Sequence, residues 1–291
     1  MTDPRPRRDW LFGIGVAIVA TVTVLAVIGP HIGPYDPTLT TPRVAVPPPA
    51  LSEIPGLIAG QIGGTLDHPP HWMGTDASGY DIFSRVIAAP RTDLTIALAA
   101  NILSLVIGVF LGLVAGYYRN IATELLMRVS DVMQSFPVFI SAMVLVALAG
   151  RSTANIVIAL AFVYVPIYIR LTRAEVLSQT SRGFVEAARA MGRPELSIAL
   201  RHVLPNSLTP ALIQSSVTIG FAILLTAGLS FVGAGVRPPT PEWGLMISTG
   251  ANQIILGEWW PSVFPGIAIS LTVFGFAVLG NALERRYEAG Q

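Results

Sequence analysis

Six long stretches of uncharged, apolar residues constrain this chain more than any other feature. They fall at about 11–28, 94–118, 132–149, 154–169, 208–231 and 262–282. A bilayer core of about 30 Å is crossed by about 20 helical residues at about 1.5 Å each. In hydrocarbon the backbone must satisfy its own hydrogen bonds, so each stretch is expected to be a helix. The expected fold class is an all-α membrane protein with six transmembrane helices. Of the 291 residues 52% are hydrophobic and only 12% charged, about half the charge of an ordinary soluble domain. Gly150 and Arg151 leave little room between the third and fourth stretches, which implies a tight helical hairpin.

All the basic side chains are arginines, and their placement sets the orientation. With the amino terminus inside, the outer segments hold only Arg43, Arg85, Arg91, Arg151 and Arg237, and the other thirteen of the 18 fall inside. Both termini are thus expected in the cytoplasm. The organisation is then a cytoplasmic segment 1–10, a first span 11–28 and an extracytoplasmic loop 29–93. A five-helix core 94–282 follows, with a cytoplasmic loop at 171–207, and then a cytoplasmic tail 283–291. Arg7-Arg8 ahead of Trp10 has the look of an export signal, but no small-residue cleavage site follows Ile28, so the first span is expected to be retained. The 29–93 loop holds eleven of the 23 prolines. Pro47-Pro48-Pro49 makes part of it stiff, and it is expected to be irregular apart from a short surface helix around 82–88.

Much chemistry is excluded by what is missing. Without lysine there is no P-loop lysine and no Schiff base. Without cysteine there is no disulfide, iron–sulfur ligation or thiol catalysis. A net charge of +1 offers no field for nucleic acid. His68 and His71 flank two prolines with only Asp67 and Asp76 nearby, which suggests a solvated turn and no metal site. The chain is expected to bind no cofactor and to catalyse nothing by itself.

Polar groups at membrane depth are functional candidates. Arg128 and Asp131, three apart, can pair on one helix face. Asn101 and Gln214 suit either interhelical hydrogen bonds or the lining of a solute path. No chain of buried carboxylates suggests proton coupling. Gly108, Gly112 and Gly116 recur every fourth residue, the spacing that lets membrane helices approach closely, within the bundle or against another subunit.

The 171–207 loop is the richest segment. Phe184, Ala187, Ala188 and Met191 follow i, i+3, i+4, i+7, one narrow stripe on a short helix, with Glu186 and Arg189 off it. Gly192 and Pro194 stop that helix. A second helical stretch carries Leu196, Ala199, Leu200 and Val203 on one face before Leu204-Pro205-Asn206 breaks into the fifth span. The exposed stripe calls for a partner groove or the membrane interface.

Glu186-Ala187-Ala188, then Gly192, then Leu204-Pro205, placed before the penultimate span, resembles the loop that defines permease subunits of ABC importers. The family pattern has isoleucine two residues before Leu204, where this chain has His202. Arg201 to Asn206 is instead similar to the Arg-His-x-Leu-Pro-Asn of the peptide-importer branch. Three further stretches resemble the "C" permease of oligopeptide and dipeptide importers. They are Gly74-Thr75-Asp76 with Gly79, Asp81 and Ser84-Arg85 (Tyr80 standing where arginine is usual), Ser130-Asp131-Val132 with Ser135-Phe136-Pro137, and Pro238-Pro239-Thr240-Pro241-Glu242-Trp243-Gly244. Residues 42–68 look like an insertion.

The resemblance implies a type I ABC permease fold in the bacterial cytoplasmic membrane, with Phe184–Met191 as the helix that docks on a cytoplasmic ATPase. It implies a homologous six-span permease, two ATP-binding subunits or a fused ATPase carrying ATP and Mg2+, and an extracytoplasmic peptide-binding protein as partners, with peptide as the cargo. Nickel importers have closely similar permeases and give the alternative cargo. A membrane enzyme finds no nucleophile–base pair here, and a stand-alone channel or carrier would have to transport without partners.

Overall fold

The computed structural model describes residues 10–289, with side chains to 287; Arg5, Arg7 and Arg8 lie outside them. Among the described residues the regular secondary structure is helical, with one isolated bridge between Thr75 and Asp81 in the loops. The long helices are α1 (Trp10–Ile32), α3 (Ile82–Tyr117), α6 (Thr153–Thr180), α10 (Thr209–Phe231) and α12 (Trp260–Ala289). Short helices join them: α2 (Ile54–Ile62), α4 (Ile121–Ser135), α5 (Val138–Ala149), α7 (Gly183–Ala190), α8 (Glu195–Ile198), α9 (Leu204–Ser207) and α11 (Trp243–Ala251). Five helices are long and apolar enough to cross a membrane, and α4 with α5 makes a sixth if that pair is one span.

The bundle is built around α3 and α6, its most extensive helix pair. Gly108, Gly112 and Gly116 form the seam, and they lie within the chain. A Cβ on Gly112 would sit 2.7 Å from the Ile169 carbonyl oxygen and 2.7 Å from the Thr172 Cβ. On Gly116 it would sit 2.8 Å from the Val176 Cβ, and on Gly108 2.9 Å from the Val165 oxygen. Only hydrogen fits, so the two backbones touch over two turns. Small residues such as Ala97, Ala100, Ala159 and Ala222 continue this close packing where α10 joins. Outward residues such as Ile102, Val106 and Phe110 are exposed, as suits a surface whose solvent is lipid.

Several expectations are corrected. The supposed surface helix around 82–88 is the buried beginning of α3, which runs 36 residues, about 54 Å. Asp81 caps it by accepting from the Ser84 amide at 2.8 Å. The helix passes through Pro90, whose missing N–H should leave the Val86 carbonyl unpaired. The Trp243 indole Nε1 donates to that carbonyl at 3.0 Å, replacing the lost bond.

The third apolar stretch is not one straight span, because α4 and α5 meet at 94° around Phe136-Pro137. Pro137 has no amide hydrogen to continue α4, and the residue before a proline is pushed out of helical geometry; Phe136 is accordingly extended. The fourth span reaches Thr180 rather than about 169. Asp131 pairs with Arg170 of α6 at 2.9 Å rather than with Arg128. Helix α11 was absent from the sequence reading. The hairpin at Gly150 forms as expected, with glycine at φ +93° and Ser152 capping α6.

Candidate functional site

Two ends and one lateral cleft hold the candidate groups. At the arginine-rich end, α7 sits across the tips of α3 and α6. Its inner face is Val185 and Ala188, buried against Leu113, Val176, Ile198 and Val203. Complete burial of a valine side chain contributes about 1.5–3 kcal/mol, and α7 is too short to hold itself in water. Its carboxyl end closes in a Schellman arrangement. The Gly192 amide donates to the Arg189 oxygen at 2.9 Å and the Arg193 amide to the Ala188 oxygen at 3.2 Å, with Gly192 at φ +74°. Arg189 binds Glu195 at 2.9 Å, and Tyr117 at the end of α3 donates to the same carboxylate. The guanidinium beside it lowers the Glu195 carboxyl below its ordinary range.

The apolar stripe therefore divides. Phe184, Ala187 and Met191 are exposed, Met191 at 70%, as are Glu186 and Arg189. Ala188 turns inward with Val185, which the sequence reading left out. The following stretch divides likewise: Leu196 and Leu200 face out while Ile198, Ala199 and Val203 are buried. Leu204-Pro205-Asn206 does not break the chain. A π-helical turn at Ala199–Val203 leads into α9, and the Asn206 side chain donates to the His202 oxygen at 2.7 Å. The wider turn, with that side-chain donor, carries the helix through Pro205.

The lateral cleft, about 650 Å³, lies between α5, α6 and α10. Gln214, Thr218 and Tyr164 supply its polar groups, and Phe139, Ile167 and Phe221 are among its apolar ones. The Gln214 amide donates to Thr218 at 3.4 Å. Asn101 is not part of this lining. It is 3% exposed and accepts from the Tyr168 hydroxyl across the α3–α6 seam.

The loop-rich end is a fixed scaffold. The Arg85 guanidinium donates to the Pro37, Pro239 and Thr240 carbonyls at 2.7, 3.0 and 3.3 Å, under the Tyr80 ring. This ties the 29–81 loop to the 232–242 loop. Gly74 and Gly79 have positive φ, and the Trp260 indole donates to the Thr75 oxygen at 2.9 Å. His71 is no solvated turn: it is buried, 2.7 Å from Asp81 and stacked on Tyr35. Among the described residues no group of three potential metal ligands forms. Asp93 and Glu242 are also fully buried here, a pair that no local sequence pattern announces.

Comparison with known proteins places this architecture. The family model described as binding-protein-dependent transport system inner membrane component matches residues 108–289. A di/tripeptide transport system permease protein of Pseudomonas aeruginosa is 37% identical over 93% of this chain and 85% of its own length. A dipeptide transport system permease protein of Alkalihalophilus pseudofirmus is 36% identical over 96% and 85%. A glutathione transport system permease protein of Pectobacterium atrosepticum is 38% identical over 74% and 71%. The resemblance read from the loop and proline motifs is thus borne out. With its apolar helices, its helix seated across the tips of α3 and α6, and these relatives, the chain is a multi-pass permease of the bacterial inner membrane and belongs to the binding-protein-dependent transport system inner membrane component family.

Proposed function

We propose that this permease is one half of the membrane path of an ATP-driven peptide importer, and that α7 is its mechanical input. In this reading the arginine-rich end and both termini are cytoplasmic, and α4 with α5 counts as a sixth, bent span. A second homologous permease completes the path. Two ATP-binding subunits supply ATP and Mg2+ chemistry, and an extracytoplasmic peptide-binding protein delivers cargo. The observation that carries the reading is that α7 is capped, braced and seated on one face while Phe184, Ala187 and Met191 stand clear on the other. A push from a closing ATPase dimer passes through Val185 and Ala188 into the tips of α3 and α6, which the glycine seam compels to move together.

The cleft beside α6 and α10 then widens or narrows as that pair tilts. Its lining has amide, hydroxyl and aromatic groups but no charge, which suits peptides of varied side-chain charge. The relatives named above carry di/tripeptide, dipeptide and glutathione in their names and none of them nickel, so peptide is favoured over nickel.

The test uses the assembled importer with labelled dipeptide. Met191→Asp, which places a charge on the outward face and leaves the seat untouched, is expected to abolish uptake and the stimulation of ATP hydrolysis by loaded binding protein, at normal abundance of the complex. Normal uptake by this variant would remove α7 from the coupling role, and uptake by the chain reconstituted alone would favour a stand-alone carrier.

A further inference from the structure

Two acids at the loop-rich end play no part in the proposed cycle. Asp93 on α3 is 1% exposed and Glu242, which caps α11, is 0% exposed. Glu242 accepts from the Gly244 and Leu245 amides at 2.8 and 2.7 Å, with the Ser230 hydroxyl and the Asp93 carboxyl beside it. Burial pushes the Glu242 carboxyl up from its ordinary range. Asp93 is far less well served: its Oδ2 accepts only a long 3.4 Å bond from the Trp243 amide, and its buried Oδ1 has no partner. A buried ionised carboxylate without donors is strongly disfavoured, and two of them side by side more so.

Among the described residues no cation forms an ion pair with either acid. The charged group facing Glu242 is Arg85, from α3; from α10 the Ser230 hydroxyl lies beside Glu242. Arg85 donates to three backbone carbonyls, its Nε is unpartnered, and its field is shared with Asp76 and the Tyr80 ring. Next door, His71 and Asp81 close on each other. One guanidinium thus faces both Asp76 and Glu242, and the orphaned Oδ1 of Asp93 is the atom that lacks a hydrogen.

We propose that Asp93 and Glu242 form a proton-binding site, with one proton on Asp93 donated to the Glu242 carboxylate, and that this proton fastens α11 and the 232–242 loop to α3. When the proton leaves to water, two adjacent negative charges remain in a buried site and the fastening opens. The sign follows from proton counting. The closed state holds a proton that the opened state releases at any pH above the ordinary carboxyl range. Stability is therefore full at acid pH and declines as pH rises, by about tenfold in the closing equilibrium per pH unit, until the closed form also loses its proton.

The experiment uses the purified assembled importer in detergent. Asp93→Asn supplies a permanent amide donor to ionised Glu242 in nearly the same shape. Wild type is expected to lose thermal stability relative to this variant as pH rises above the ordinary carboxyl range, following that slope until the closed form loses its proton. Its infrared spectrum at neutral pH should contain a protonated-carboxyl band that Asp93→Asn removes. Glu242→Gln, whose amide can donate to an ionised Asp93, should flatten the pH profile in the same way and serves if the first variant assembles poorly. Parallel pH profiles for wild type and variant, or an unchanged carboxyl band, overturn the proposal.

Discussion

Gly192 offers a clean separation of backbone conformation from packing. A Cβ built there meets nothing within 4 Å, yet its φ is +74°. Any effect of substitution therefore comes from the left-handed conformation alone, which costs an L-residue about 1–2 kcal/mol. Asparagine tolerates the region best and β-branched residues worst. If the conformation is abandoned, the Gly192 and Arg193 amide bonds to α7 are lost as well, at about 1 kcal/mol each. Against a seat made chiefly of Val185 and Ala188, about 1–2 kcal/mol shifts the docked-to-frayed ratio of α7 by roughly 5- to 30-fold. The expected order of peptide imported per ATP hydrolysed is Gly, then Asn, then Ala, then Val at position 192. The thermal midpoint of the assembled spans should change little through the series, since a side chain at 192 meets no span residue. Equal coupling in Gly192→Val and wild type would refute the mechanical role of the cap. An effect growing with side-chain volume alone, with Asn worse than Ala, would refute the conformational argument.

Two further outcomes test the bundle. Gly112→Leu forces a side chain into the Ile169 oxygen and Thr172 Cβ. It should destabilise the α3–α6 pair by about 1–3 kcal/mol or more, seen as a lower melting point and less assembled complex, with Gly112→Ala between. Trp243→Phe should cost about 1–3 kcal/mol by leaving the Val86 carbonyl unpaired. Pro90→Ala, which restores the N–H inside α3, should recover most of that loss in a double-mutant cycle; additive effects would contradict the replacement role of the indole.

The features legible in the sequence are those that local physics fixes. Gly192 and the spacing of Gly108, Gly112 and Gly116 announce themselves because only glycine meets a positive φ or a backbone-to-backbone approach. The spans announce themselves because hydrocarbon demands length and apolarity. The stripe on α7 was only half legible. An eight-residue helix with small apolar residues on two faces has no unique inner side until Leu113 and Val176 choose one, and they chose Val185 and Ala188. Pro90 read as a loop residue because its replacement donor, Trp243, comes from the far end of the chain. The bend at Phe136-Pro137 was hidden because apolar residues continue through it. His71 with Asp81, and Asp131 with Arg170, are partnerships that no periodicity encodes, and the Asp93–Glu242 contact joins elements distant in sequence.

The indole that completes α3 lies 157 residues beyond the carbonyl it serves. During synthesis, the segment around Val86 enters the bilayer interface well before Trp243 leaves the ribosome. Until then one carbonyl above the proline must find water or remain open, so the first three turns of that helix cannot settle permanently. Maturation of the second span is thereby deferred to arrival of the fifth and its following loop, and a truncated chain ending before Trp243 would expose an unfinished helix to the quality-control proteases that survey nascent membrane proteins.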